Sequence, residues 1–196
     1  MVNWAVELAR IYKHKSGGAN LHGVILYTDA NPHVKKLLGD DDYWTALDDI
    51  SGPLWCIYAI KAKQGSHRMP RVPRETVSMM VPVWKEPAEN RELLDDFGID
   101  STQYLPMLSV FGESEDGEGT ILNKNVKLVD SSVEDAFAKL REVFLIISEA
   151  AEKISAEYMN DNIRAYTAVE YALKGYNELQ SVKRVAKIWK ALKSYR

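Results

Sequence analysis

Two apolar runs, Gly23-Val24-Ile25-Leu26-Tyr27 and Leu54-Trp55-Cys56-Ile57-Tyr58-Ala59-Ile60, are dense in β-branched and aromatic residues and bounded by polar or turn-forming ones. Such runs, without polar alternation, read as buried strands. The pattern between them is helical. Thr28 to Asn31 form a turn in which Asp29 or Asn31 can cap a helix, and Pro32 suits its first position. That helix carries Val34, Leu37 and Leu38, and a second helical stretch from Tyr43 to Ile50 ends at Ser51-Gly52. Parallel strands need a long crossover, usually helical, so strand-helix-strand predicts a parallel pair and an α/β fold.

Residues 61–75 read as a loop rich in Pro and Arg, and 76–84 as an irregular edge strand that Pro82 keeps out of a sheet centre. Glu89 to Phe97 reads as a helix stopped by Gly98. Leu105-Pro106-Met107-Leu108-Ser109-Val110-Phe111 reads as a strand opening at a proline. An acidic loop then leads to Thr120-Ile121-Leu122 and Val126-Lys127-Leu128-Val129, an expected antiparallel partner. Ser131 and Glu134 have the spacing of a capping box. After them Val133, Phe137, Leu140, Phe144, Ile147, Ala151, Ile154 and Tyr158 recur in steps of four and three, the seam of a long helix. Trp4, Leu8, Ile11 and Tyr12 mark a helix within residues 1–18.

From residue 23 to 145 the order is strand, helix, strand, helix, strand, strand, helix, which resembles the thioredoxin fold. The nearest local likeness is Asn90-Arg91-Glu92-Leu93-Leu94-Asp95-Asp96-Phe97-Gly98-Ile99 leading to Leu105-Pro106. Thioredoxin-like proteins have a helix ending in an aromatic-Gly-Ile step, then a strand opened by a cis-proline. The resemblance implies a three-layer α/β sandwich, a mixed sheet with flanking helices, over residues 19–145, with an insertion at about 61–88. Residues 146–196 then form a helical extension with a basic C-terminal helix. The family's redox chemistry needs two cysteines at the start of the first long helix, one to attack and one to resolve. The matching positions Thr28 to Pro32 hold none, and the chain has one cysteine, Cys56, expected to be buried and inert. A disulfide oxidoreductase is excluded.

What the resemblance offers instead is a binding groove built by Thr28, Asp29, Asn31, Leu105 and Pro106; the other reading of these residues is a structural relic. A second candidate surface is basic. Arg68, Arg71 and Arg74 recur every third residue in a Pro-rich stretch, a step that aligns side chains in a polyproline conformation. The tail 182–196 carries Lys183, Arg184, Lys187, Lys190, Lys193 and Arg196 around Trp189, with no acid. A net charge of −3 for the chain leaves −9 on the rest, so nucleic-acid binding is not expected except through this tail. The bland readings are a solvated loop and a helix packed on its neighbour.

Nothing in His14, His22, His33 and His67 has metal-ligand spacing, the glycines form no phosphate loop, and no metal or cofactor is expected. No signal peptide or membrane span is read from the sequence, and the expected location is cytoplasmic. The leading expectation is a non-redox, thioredoxin-like module that binds a protein partner, with a homodimer expected through the helical extension. An alternative class is a glutathione-transferase-like enzyme or glutathione-binding protein, faintly suggested by Leu26 to Val34, with Tyr27 or Thr28 supplying a hydroxyl. A third is a nucleic-acid-associated protein that uses the basic tail.

Overall fold

A computed structural model of the chain describes residues 21–52, 55–68, 82–113, 121–158, 169 and 172–174. The expected N-terminal helix, Arg71, Arg74, the acidic loop at 114–120 and the basic tail lie outside the described residues. So do Lys183, Arg184, Lys187, Trp189 and Lys190.

Strand β1 (Leu21–Tyr27) is followed by helices α1 (Pro32–Leu38) and α2 (Asp41–Ser51) and by β2 (Trp55–Lys61). A small hairpin, β3 (Ser66–Arg68) and β4 (Val83–Lys85), precedes helix α3 (Arg91–Asp96). Then come β5 (Met107–Glu113), β6 (Ile121–Lys127) and the long helix α4 (Val133–Tyr158). The main sheet is mixed and four-stranded, in the order β2-β1-β5-β6, with β2 parallel to β1 and the other pairs antiparallel. The chain is therefore an α/β protein with flanking helices.

Alternation along β1 sorts the core into two layers. Leu21 and Ile25 face a cluster with Val34, Leu37, Leu47 and, from α4, Leu140, Phe144 and Ile147. Val24 and Leu26 face the opposite cluster, with Leu94, Phe97, Ile99 and Phe111. α4 passes unbroken through residue 146, where the extension was expected to begin, and Ala150, Val169 and Leu173 join the first cluster.

Several local expectations are corrected. β2 is an edge strand, so its residues after Trp55 are half-buried or exposed, and Cys56 is half-buried rather than buried. The described end of the expected 76–84 strand falls in β4 (Val83–Lys85), which pairs with Ser66–Arg68 in its own sheet and does not join the main one. The helix expected from Glu89 opens as a 3-10 turn at Ala88–Asn90 before α3. The strand expected from Leu105 starts at Met107, after a cis Leu105–Pro106 peptide. β6 runs unbroken where two segments were expected. The helix cap moves by one residue: Ser132, not Ser131, accepts the amide of Asp135 through Oγ at 3.0 Å. Ser131 instead donates its hydroxyl to the Asp135 carboxylate, which these serines hold below its ordinary range.

One punctuation mark holds as read. Gly98, at φ 61°, ends α3: Gly98 N–H donates to Asp95 O and Ile99 N–H to Leu94 O at 2.8 Å. This is a Schellman closure, with Ile99 and Leu94 in one apolar cluster. Asp40 caps α2 by accepting the amides of Asp42 and Tyr43, and Asp41 and Asp42 then sit in the first turn, where the helix dipole favours acid.

The hairpin is fastened by a carboxylate. Glu86 accepts from Trp84 Nε1, Asn90 Nδ2, Ser101 Oγ and both the amide and hydroxyl of Thr102, at 2.8–3.1 Å. Asn90, buried, also accepts the Lys63 amide and donates to the Lys63 carbonyl, tying the end of β2 to the start of α3. Burial raises the Glu86 carboxyl, but these donors outweigh it and hold it below the ordinary 4.5. A depressed folded-state value gives stability that is present above pH 4.5 and lost as pH falls through the folded value. Glu86→Ala is expected to cost about 2–3 kcal/mol at pH 7, because several donors lose their acceptor together. Urea unfolding should show that this gap narrows below pH 4.5.

Candidate functional site

The turn after β1 and the proline before β5 meet, as adjacent strands of one sheet must bring them together. Thr28 is 1% exposed, and its amide and hydroxyl both donate to Asn31 Oδ1, at 2.9 and 3.2 Å. Its hydroxyl also accepts the Ala30 amide. Asn31, 6% exposed, spans the gap between the two segments, donating Nδ2 to Leu105 O at 3.4 Å. Four of the five expected groove residues, Thr28, Asn31, Leu105 and Pro106, are thus assembled and buried. The fifth, Asp29, is exposed and bridges Lys35 at 2.6 Å and Lys61 at 2.8 Å. Those lysines hold its carboxyl below the ordinary range and, reciprocally, Asp29 raises the Lys35 ammonium.

The backbone groups beside the proline are occupied. Leu105 N–H donates to Thr102 O, and its carbonyl accepts from Asn31 and from Lys127 Nζ at 3.1 Å. Lys127 also donates to Tyr104 O, and burial of its ammonium lowers its affinity for a proton. Pro106 O accepts the Leu128 amide.

The start of α1 is filled as well. Asn31 is its N-cap by position, with Pro32 at the first helical position, but the Asn31 side chain makes no capping bond. Asp130 supplies the cap from the chain after β6: its Oδ1 accepts the amides of His33 at 3.0 Å and Val34 at 2.8 Å. The sequence signal pointed at Asp29 and Asn31 as caps, and the true cap lies about a hundred residues away. Asp130, Lys127 and Gln64, whose Oε1 accepts the Ala30 amide at 3.3 Å, are the residues bonded to this junction that sequence reasoning missed. A tertiary cap leaves no local spacing to read.

Comparison with protein-family models, with curated proteins and with solved structures returns no match.

Of the basic candidates, Arg68 lies on β3, exposed. Beside the hairpin is a cleft of about 360 Å³ lined by Lys63, Gln64, Ser66, Arg68, Lys85 and Glu89, among others. Gln64 connects it to the Thr28–Asn31 turn. A second cavity, about 260 Å³, lies at the β2 edge against Trp44, Trp55, Cys56, Tyr58 and Phe144. Among the described residues no cluster of His, Cys, Asp or Glu has metal-binding geometry, and no helix is long and apolar enough to cross a membrane.

Proposed function

We propose that this chain is a thioredoxin-like domain without redox chemistry that acts by binding another protein. The strand order β2-β1-β5-β6, with one parallel and two antiparallel pairs, supports the fold reading, as does a sheet covered on both faces by helices. The observation that carries the functional reading is Asp130. In a thioredoxin-like enzyme the first helix's N-terminus lends its amides to a thiolate. Here a carboxylate of the same chain takes the amides of His33 and Val34. With Thr28, Asn31 and Leu105 also satisfied internally, the former reaction centre becomes a packed joint. Binding is left to the surrounding surface.

The same geometry weighs against the glutathione reading. The Thr28 hydroxyl, one of the two that could meet a glutathione thiol, is 1% exposed and already bonded to Asn31. Two assays test the redox side. Insulin reduction in the presence of thioredoxin reductase should stay at background, and calorimetry should show no saturable glutathione binding at micromolar affinity. Catalysis above background, or glutathione binding abolished by Thr28→Val, would refute the proposal. Affinity capture from native extract tests the binding side: a reproducible partner should be retained at physiological salt. Failure to retain any partner would count against a binding module.

A further inference from the structure

The cleft beside the hairpin carries positive charge in a regular geometry, unpaired among the described residues. Ser66 lies opposite Lys85 and Arg68 opposite Val83, so all four side chains share one face of the two-stranded sheet. His67 and Trp84, the intervening pair, stack edge to face at 5.1 Å on the other side. This assignment agrees with the lining, which contains Ser66, Arg68 and Lys85 but neither His67 nor Trp84.

The acids on the lining are already engaged. Lys63 and Glu89 neutralise each other at 2.7 Å, and both Glu86 oxygens are turned to Trp84, Asn90, Ser101 and Thr102. Arg68 and Lys85 form no ion pair among the described residues. They are diagonal neighbours across the ladder, which sets their attachment points about 7–8 Å apart. In an extended chain, alternate residues on one side recur at about 6.8 Å, twice the rise of about 3.4 Å. Val83, 60% exposed and directly across from Arg68, adds an apolar contact at the rim.

We propose that this face binds an extended acidic segment of a partner protein, with carboxylates at alternate positions engaging Arg68 and Lys85. This rests on the protein-binding reading above and narrows its partner to one chemistry. Arg68 can hold one carboxylate through two parallel hydrogen bonds, Lys85 the next as a point charge, and Ser66 can donate between them.

The test is fluorescence polarisation at low salt with a labelled ten-residue peptide carrying Glu at alternate positions and Ser and Val between. Saturable binding is expected, weakened about tenfold by Arg68→Glu with Lys85→Glu and relieved by added salt. Replacing every Glu of the peptide by Gln should abolish it, and Lys36→Glu, an exposed change on α1, should leave it intact. If the doubly reversed variant misfolds by circular dichroism, the milder Arg68→Gln and Lys85→Gln variants carry the same comparison. No binding, equal binding of the Gln peptide, or insensitivity to these substitutions would overturn the proposal. So would equal affinity for a peptide with the same glutamates clustered together, or for a single-stranded oligonucleotide, since either shows unselective attraction. Any of these results, with the insulin and glutathione assays still negative and a partner still captured, removes the acidic segment alone and leaves the binding module standing.

Discussion

Trp55→Ala should lower the free energy of unfolding by about 3–5 kcal/mol, read from urea denaturation. Trp55 opens β2, is 1% exposed, and meets Phe144 of α4 edge to face at 4.8 Å. Its indole N–H donates to Ser148 Oγ at 3.1 Å, and Ser148 donates in turn to Ile50 O at 2.9 Å. One side chain therefore joins the sheet edge, the end of α2 and the middle of α4. Trp55→Phe keeps most of the ring contact and leaves the Ser148–Ile50 bond in place, so about 1 kcal/mol is expected. Gly23 supplies a second check. A Cβ there would lie 2.7 Å from the Trp55 ring, so Gly23→Ala is expected to destabilise. In the Trp55→Ala background that clash is gone, and the two substitutions should fall short of additivity. Full additivity would mean that the ring does not press on Gly23.

What could be read from the sequence was local and periodic. The runs that form β1 and β2 could be read as strands because β-branched and aromatic residues leave few other options, and the helical residues between them required a parallel pair. Gly98 after Phe97 marked a helix end because the left-handed turn there favours glycine. The sequence could not reveal edge from centre. β1 and β2 have similar composition, yet among the described residues only β1 of the two has a neighbour on each side, and Cys56 follows β2 into partial exposure. The candidate site divided the same way. Thr28, Asn31, Leu105 and Pro106 were placed together through a resemblance, but their closure depends on Asp130 and Lys127, distant in sequence. Glu86, which accepts from four residues, stood in a loop with no periodicity to mark it.

Ile147→Asp should be at least as damaging as the loss of Trp55, at more than about 4 kcal/mol at pH 7. Ile147 is fully buried among residues from β1, α1, α2 and α4, with Val169 and Leu173 in the same cluster. An aspartate there has apolar neighbours and no partner on its own helix turn, since Phe144 and Ala151 flank it along the seam. Desolvation would raise the new carboxyl above its unfolded value of about 3.9, so the penalty grows as pH rises through that value and shrinks toward pH 4. Ile147→Val, which removes one methylene, should cost only about 0.5–1.5 kcal/mol. Because a single chain already buries Ile147, the expected readout is a lower melting temperature with unchanged mass by light scattering. A fall from dimer to monomer mass with an unchanged melting temperature would instead put this stretch of the seam at a contact between two chains. The present assignment of Ile147 to the internal core would then be wrong.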